Sequence, residues 1–171
     1  MSTLHVENLK GLSSGGNAKK IIVPSGQTLS AVGHVIQVQK SSIGGTITTT
    51  SSSAVATGLQ CTITPKFATS LLKVECLGGR PYMDGAQLDI YIYKDGTNAN
   101  TVGVGRWQTM YDVGSHHHGG YSACYFETAS STSARTYQVY YEGGGNSVWF
   151  NNSPSGNNEY LAHLVVTEIA Q

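Results

Sequence analysis

A chain of 171 residues is long enough for one domain with its own hydrophobic core, with residues left over for an arm. Only 12% of the residues are charged and the net charge is zero, so nothing in the charge balance favours nucleic acid or an acidic membrane as a partner. Polarity comes mainly from Ser, Thr, Asn and 21 Gly, which suit turns and strand edges better than helices.

Residues 1–20 are predicted to be an arm. Its sparse apolar residues, ahead of the linker-like sequence SSGGN, are Leu4, Val6, Leu9 and Leu12. The segment around Leu4 and Val6 could add as a strand to a neighbour's sheet, or the arm could be a disordered tail. It has no apolar run long enough for a signal peptide or a membrane span, so we expect no membrane insertion.

Residues 21–45 are predicted to form an extended connecting segment. Its apolar residues and one histidine are Ile21, Ile22, Val23, Val32, His34, Val35, Ile36 and Val38. In the period-two pattern of a strand, His34, Ile36 and Val38 share one face and Val35 lies on the other. Apolar residues on both faces are typical of a strand that is covered on both sides. The cover could be sister copies of the chain, or the chain's own domain if this is the first strand of a monomeric sandwich.

Residues 46–171 are predicted to form a head domain of strands. Apolar residues alternate with polar or aromatic ones in LLKVECLG and in QLDIYIYKDG, whose Asp-Gly pair predicts a hairpin turn. The Thr- and Ser-rich stretch 46–58 is predicted to be an exposed edge strand, with a loop as the alternative. About eight strands spaced roughly ten residues apart predict an all-β fold, with an antiparallel β-sandwich or jelly-roll-like head.

The three cysteines, Cys61, Cys76 and Cys124, lie among apolar or aromatic neighbours and form no CxxC pair. Free cysteine is among the residue types most often buried. We therefore expect three buried, reduced thiols in a protein made in a cytosol.

Several patches of the sequence resemble virion structural proteins of tailed bacteriophages, especially phages of aquatic bacteria. They are VENLKG, SSGGNAKKIIVPSGQTL with GHVIQVQ, TGLQCTITPKFATSLLKV, KDGT and the terminal EIAQ. Proteins of this group are tail-fibre, neck-appendage or other minor structural proteins. The resemblance is strongest in residues 6–39, 58–75 and 164–171, and none of the patches is a catalytic motif.

The resemblance implies a homotrimer that is made in the host bacterial cytoplasm and located in the virion. It implies that the arm, with Leu4, Val6, Leu9 and Leu12, attaches to a portal, tail or capsid protein. It also implies that residues 21–45 pair across subunits about a threefold axis. A capsid-surface decoration protein and a standalone carbohydrate-binding module are the alternatives.

The sequence GSHHHGG contains the only candidate metal ligands that stand out. In an extended chain His116 and His118 would lie on the same side, as a metal-binding pair requires. The flanking glycines favour an exposed loop instead. We therefore predict no metal or cofactor site, with His116 and His118 as weak candidates.

Loops around residues 107–120 and 142–158 are predicted to face outward and to meet the host surface, with a surface glycan as the expected ligand. The predicted receptor contacts are Trp107, Tyr111, His117, Tyr121, Asn146 and Trp149. Tyr91 and Tyr93, which alternate with Ile90 and Ile92, could form a sugar-binding platform or serve cross-strand packing.

The sequence contains no GxSxG, HExxH or P-loop motif, and GVGRWQ lacks the strand and helix that surround a dinucleotide site. The carboxylates considered for catalysis are Asp84, Asp89, Asp112, Glu127 and Glu142. No spacing singles out a pair of the kind that glycosidases use. The sequence therefore predicts a non-enzymatic protein.

Overall fold

The computed structural model of the chain describes residues 13–15, 23, 25, 31–83, 85, 87–98, 108–111, 117–151 and 160–171. The regular elements in these residues are β-strands: Val35–Ile43 (β1), Ile47–Thr49 (β2), Val55–Ile63 (β3), Leu71–Gly78 (β4), Tyr82–Met83 (β5), Gln87–Lys94 (β6), Thr97–Asn98 (β7), Gln108–Tyr111 (β8), His117–His118 (β9), Ser122–Thr128 (β10), Arg135–Gly143 (β11), Val148–Asn151 (β12) and Ala162–Ile169 (β13). The fold is all-β with antiparallel sheets packed together, which confirms the predicted β-sandwich.

The strands form two main sheets and one small sheet. The base sheet has the order β1-β13-β4-β10. The cover sheet has the order β3-β11-β6-β7, with β8 also paired to β6. The tip sheet has the order β2-β12-β5-β9.

The tip sheet continues the base sheet strand by strand. β2 follows β1, β5 follows β4, β9 precedes β10 and β12 precedes β13, so both sheets have the same strand order. Glycines stand at three of these breaks, in the pairs Gly44–Gly45, Gly78–Gly79 and Gly119–Gly120. Gly78 has a φ of 80°, and a Cβ there would lie 2.6 Å from the Leu161 carbonyl oxygen, so only glycine fits. The tip sheet therefore lies at the end of the base sheet opposite the start of β1.

The hydrophobic core lies between the base and cover sheets. Inward-facing buried residues include Leu72, Val74, Cys76, Leu164 and Val166 of the base sheet and Leu59, Ile63, Leu88, Ile90 and Ile92 of the cover sheet. The faces predicted from alternation in LLKVECLG and QLDIYIYKDG are therefore confirmed.

The predicted Asp-Gly hairpin turn is confirmed, whereas the prediction of one edge strand over residues 46–58 is wrong. Asp95 and Gly96 join β6 to β7 with φ values of 52° and 77°, the two positive angles of a type I′ hairpin. The stretch 46–58 is not one edge strand but two strands with a turn between them. In that turn the Ser51 hydroxyl donates to the Ser53 carbonyl at 2.7 Å, a local bond that competes with strand pairing.

β1 is an edge strand of the base sheet and belongs to the same compact unit, Ala31–Gln171, as the rest of the sandwich. The predicted faces of the strand are wrong, because a β-bulge between Val35 and Gln37 shifts the alternation by one residue. Val35 and Val38 consequently share the outer face, opposite Ile169 and Thr167 of β13.

The three cysteines differ in exposure. Cys61 and Cys76 are buried free thiols, as predicted, and burial raises the pKa of Cys76 to about 12. Cys124 is exposed, and the prediction that it is buried is wrong. It lies on the outer face of β10 because Tyr125 takes the inward position.

A buried carboxylate joins β1, β13 and the loop that crosses between the two main sheets. Glu168 is fully buried and accepts hydrogen bonds from Gln37 Nε2 at 2.6 Å and from the backbone amides of Lys66 and Phe67 at 2.8 and 3.2 Å. Burial by itself raises the pKa of Glu168, but the hydrogen bonds outweigh it, so the net pKa is below the ordinary value. Because residues 64–70 connect β3 to β4, Glu168 holds this crossing loop onto the base sheet.

We expect Glu168→Gln to lower the free energy of unfolding by about 2 kcal/mol, because hydrogen bonds to a buried carboxylate are replaced by weaker ones and one amide donor is left without an acceptor. Urea denaturation at neutral pH measures this change. The control is Glu142→Gln, in which the amide oxygen can still accept the Tyr91 hydroxyl, so the loss stays under about 1 kcal/mol. Equal losses in the two variants would contradict a special role for Glu168.

Candidate recognition surface

A row of side chains crosses the outer face of the tip sheet. The strand register pairs Thr48 with Trp149, Trp149 with Tyr82, and Tyr82 with His118, so each of the four strands supplies one residue. We call these four residues the aromatic ladder. The Tyr82 ring lies 4.5 Å from the Trp149 ring at an interplanar angle of 71°, and 4.7 Å from the His118 ring at 40°.

Alternation in the tip strands explains why the ladder faces outward. Val148, Phe150 and Met83 are buried on the inner side, which leaves Trp149 and Tyr82 half-buried on the outer side. Thr48 and His118, at the two ends of the row, are exposed. The surface thus combines aromatic rings with hydroxyl, indole and imidazole groups. Such a combination suits a ligand that has both C–H faces and hydroxyl groups.

A buried asparagine holds the ladder on the base sheet. The Asn151 amide nitrogen donates to the carbonyls of Gly45 and Tyr160, each at 2.8 Å, and its oxygen accepts from the Arg80 backbone amide at 2.8 Å. These three partners lie in three of the four segments that link the tip strands to the base strands. The Arg80 guanidinium also stands 5.1 Å from the centre of the Tyr160 ring, in a cation–π contact. These contacts fix the tip sheet at its root, the end where its strands join those of the base sheet.

Trp149 is the predicted receptor contact that the structure places in the ladder. Asn146 is exposed in the turn before β12, and its Nδ2 donates to the Gly85 carbonyl at 2.8 Å. Tyr121 is not available for contact, because its side chain is buried and its ring packs 5.0 Å from that of Phe150. For Tyr111 and His117 the structure describes only their strand positions, and Trp107 lies outside the described residues.

The residues predicted to form subunit contacts are largely exposed in the described part of the chain. Val32 is 83% exposed, and Val23, His34, Val35 and Val38 are also exposed. Ile36, in the bulge of β1, is half-buried. Outside the described residues lie Ile21, Ile22 and the predicted attachment residues Leu4, Val6, Leu9 and Leu12.

The predicted histidine pair is described only at His118, whose ring packs on Tyr82, since His116 lies outside the described residues. Within the part of the chain that the structure describes, no group of three or more His, Cys, Asp or Glu residues could hold a metal ion.

Thr48 and Tyr82 are the ladder residues that sequence analysis missed, and Tyr82 is the one that supplies a ring. β5 contains only two residues between the turn sequences GGRP and DG, which is too short for alternation to show. An isolated aromatic residue between two turns was the only available signal.

The predicted tyrosine platform lies on the outer face of the cover sheet. Tyr93 stacks on Tyr140 with ring centres 3.7 Å apart and an interplanar angle of 17°. Tyr91 is buried, and its hydroxyl donates to Glu142 at 2.6 Å. These tyrosines therefore contact one another and a carboxylate, which favours the cross-strand packing alternative over an open platform.

Two of the carboxylates considered for catalysis are cross-strand neighbours on the same face. Asp89 lies opposite Glu142 in the register of β6 and β11, and it accepts a hydrogen bond from Gln87 Nε2 at 2.7 Å. Asp84 and Asp112 lie outside the described residues.

The fifth carboxylate, Glu127, links the base sheet to the cover sheet. It accepts hydrogen bonds from Lys94 Nζ at 2.7 Å and from the hydroxyls of Tyr125 and Tyr137, and it pairs with Arg135 at 3.3 Å. Burial by itself raises the pKa of Glu127. The hydrogen bonds from Lys94, Tyr137 and Tyr125, together with the charge of Lys94, lower the pKa by more than burial raises it, so the net pKa lies below the ordinary value. The arrangement favours the ionised form of Glu127 and joins side chains of β6, β10 and β11 through one carboxylate.

No family model matches the chain, and no curated protein matches it significantly. Among the described residues no helix is long and apolar enough to span a membrane.

We expect Glu127→Gln to reduce the loss of stability in acid. The folded chain holds Glu127 at a pKa below 4.5, the ordinary value, so the unfolded chain binds more protons as pH falls, and stability drops as the pH is lowered through 4.5 and then through the folded-state pKa. The variant lacks this titrating group, so its free energy of unfolding falls less over the same range. Urea denaturation at several pH values measures both slopes. Ser133→Ala, at an exposed position nearby, is the control because it removes no titratable group. Parallel slopes for wild type and Glu127→Gln would contradict the prediction.

Proposed function

We propose that this chain is a non-enzymatic structural protein of a bacteriophage virion, and that it forms a homotrimeric fibre or appendage whose head contacts the host surface. Two observations support the proposal besides the sequence resemblance. The head is an all-β sandwich, and its tip carries an outward-facing aromatic ladder.

The observation that carries the proposal is that the start of the head and the aromatic ladder lie at opposite ends of the base sheet. β1 begins at Val35, opposite the last residues of β13, whereas the aromatic ladder lies beyond the other end of the base sheet. The chain that precedes the head therefore enters it at one end, and the ladder is presented at the other. An appendage needs this arrangement, because one end must attach to the particle while the other end faces a target.

The chemistry of the ladder suits a host-surface glycan. The faces of Trp149 and Tyr82 can pack against the C–H faces of a sugar ring, while Thr48 and His118 can hydrogen-bond its hydroxyls. Three steps between neighbouring strands separate Thr48 from His118, a span of about 14 Å at about 4.8 Å per step. The ladder is thus long enough to contact more than one sugar of a chain.

A standalone carbohydrate-binding module is the second candidate. It is favoured by the fact that one chain supplies all four ladder residues, so the site is complete without a trimer. This candidate predicts a monomer that binds sugar with residues 1–20 removed, whereas an appendage is a trimer that needs its arm to reach the particle.

We expect the intact protein to bind oligosaccharides on a glycan array, and Trp149→Ala to weaken binding of the best ligand at least tenfold, or about 1.4 kcal/mol. Isothermal titration measures the affinity. Exposed His118→Ala, which leaves the half-buried pair in place, is expected to have a smaller effect of about threefold.

The matched control is Tyr93→Ala, which removes a half-buried aromatic side chain from the cover sheet. It should leave the affinity unchanged. An array without any binding by the intact protein, or equal losses in Trp149→Ala and Tyr93→Ala, would refute recognition by the ladder.

A further inference from the structure

The outer face of the base sheet carries a concentration of exposed apolar side chains. Val38 and Phe126 are 53% and 51% exposed, and Val35 and Leu77 are 47% and 37% exposed. The registers of β1, β13, β4 and β10 place all four on the outer side of the same sheet. We call this surface the apolar face.

The cover sheet provides an internal comparison. Its outer face is polar at Gln60, Thr62 and Gln138, and the described residues of β3, β6 and β11 include no exposed large apolar side chain. If solvent covered the outer faces of both sheets, we would expect few exposed apolar side chains on either face. The difference indicates that the outer side of the base sheet is covered in the functional protein.

The charges on the apolar face do not oppose contact between copies of the chain. Lys73 and Glu75 in the middle of the face form an ion pair at 2.8 Å. The net charge of the whole chain is zero, so two copies do not repel each other as a strongly charged protein would. Charge repulsion therefore does not prevent a second copy of the chain from packing on the apolar face.

The size of the face sets how large each contact can be. Four strands of seven to nine residues, spaced about 4.8 Å apart and rising about 3.3 Å per residue, give a flat footprint of about 500 Å². A ring divides this footprint between two neighbours, so each contact through the face is smaller than the 800 Å² or so that each partner contributes to a standard interface. Contacts of this size give an assembly whose mass depends on protein concentration.

We infer that the apolar face is the surface through which copies of the chain contact one another. The inference rests on the proposed homotrimer and assigns its interface. The exposed apolar residues lie toward opposite edges of the sheet, with Val35 and Val38 on β1 and Phe126 on β10, and the Lys73–Glu75 pair lies between these edges.

This layout suits a closed ring better than a twofold pair. In a ring each copy offers two different patches, one to each neighbour. The valine edge of one copy then packs against the Phe126 edge of the next, a contact between β-branched and aromatic side chains that is favourable in sheets. The occupant of the apolar face is thus a second copy of this chain.

Light scattering and sedimentation of the full chain test the inference. Wild type is expected at three times the 18.1 kDa chain mass. The double variant Val38→Ser with Phe126→Ser is expected to raise the concentration at which the assembly half-dissociates at least tenfold. The control is Ala56→Ser with Gln60→Ser, two exposed positions on the outer face of the cover sheet, and it should keep the wild-type mass.

A footprinting measurement on wild type tests the face without relying on variants that must fold. Hydroxyl-radical labelling of Phe126 should fall at concentrations where the assembly forms, while labelling of Tyr140 on the cover sheet should not change.

Each outcome separates the interface from the proposed function. A wild type that is monomeric at every concentration refutes the homotrimer and the inference with it. A trimer that persists in the Val38→Ser, Phe126→Ser variant, with Phe126 labelled as in the monomer, refutes the apolar face and leaves the homotrimer standing. A third outcome is a monomer in which Phe126 becomes labelled only after residues 1–30 are removed. This result would show that the chain's own N-terminal segment covers the apolar face, and it would overturn the inference.

Discussion

The closure of the sandwich depends on two inward-facing carboxylates in one row of the base sheet, the buried Glu168 and the partly buried Glu127. Glu168 and Glu127 both lie opposite Leu72, one on each side of it, and both face inward. Glu168 holds the loop that crosses from β3 to β4, and Glu127 pairs with Arg135, which follows the loop that crosses back from β10 to β11. The two loops also bond to each other, since the Ala129 amide donates to the Ser70 carbonyl at 2.8 Å. Charge-assisted hydrogen bonds therefore close one end of the molecule.

The opposite end is built on different chemistry. There a neutral amide, Asn151, joins three segments at the root of the tip sheet, and the aromatic ladder lies beyond it. Above Asn151 the rings of Trp149, Tyr82 and His118 pack on one another at 4.5 and 4.7 Å, which in the proposed glycan contact would lower the cost of ordering them. The head thus has two chemically different ends, which is what the proposed appendage requires.

Most of the fold was accessible from the sequence, because strands that are buried on one face show strict alternation, as LLKVECLG does, and because an Asp-Gly pair specifies its turn. The bulge in β1 was not accessible, since an extra residue leaves no mark in an apolar stretch. Glu168 was hidden because a carboxylate at an inward position looks like an outward one until its amide partners are known. In the ladder, Trp149 was found through its aromatic neighbourhood, whereas Tyr82 lies in a strand of two residues that has no readable period.

The glycine breaks between the base and tip sheets have a consequence for how this protein can diversify. Backbone pairing stops at the breaks and starts again beyond them, so the register of the tip strands is not dictated by the register of the base strands. The ladder residues lie on the outer face of the tip sheet, whereas Met83, Val148 and Phe150 of the same strands belong to the core. Residues on the outer face of the tip can thus be replaced while the scaffold beneath them stays the same.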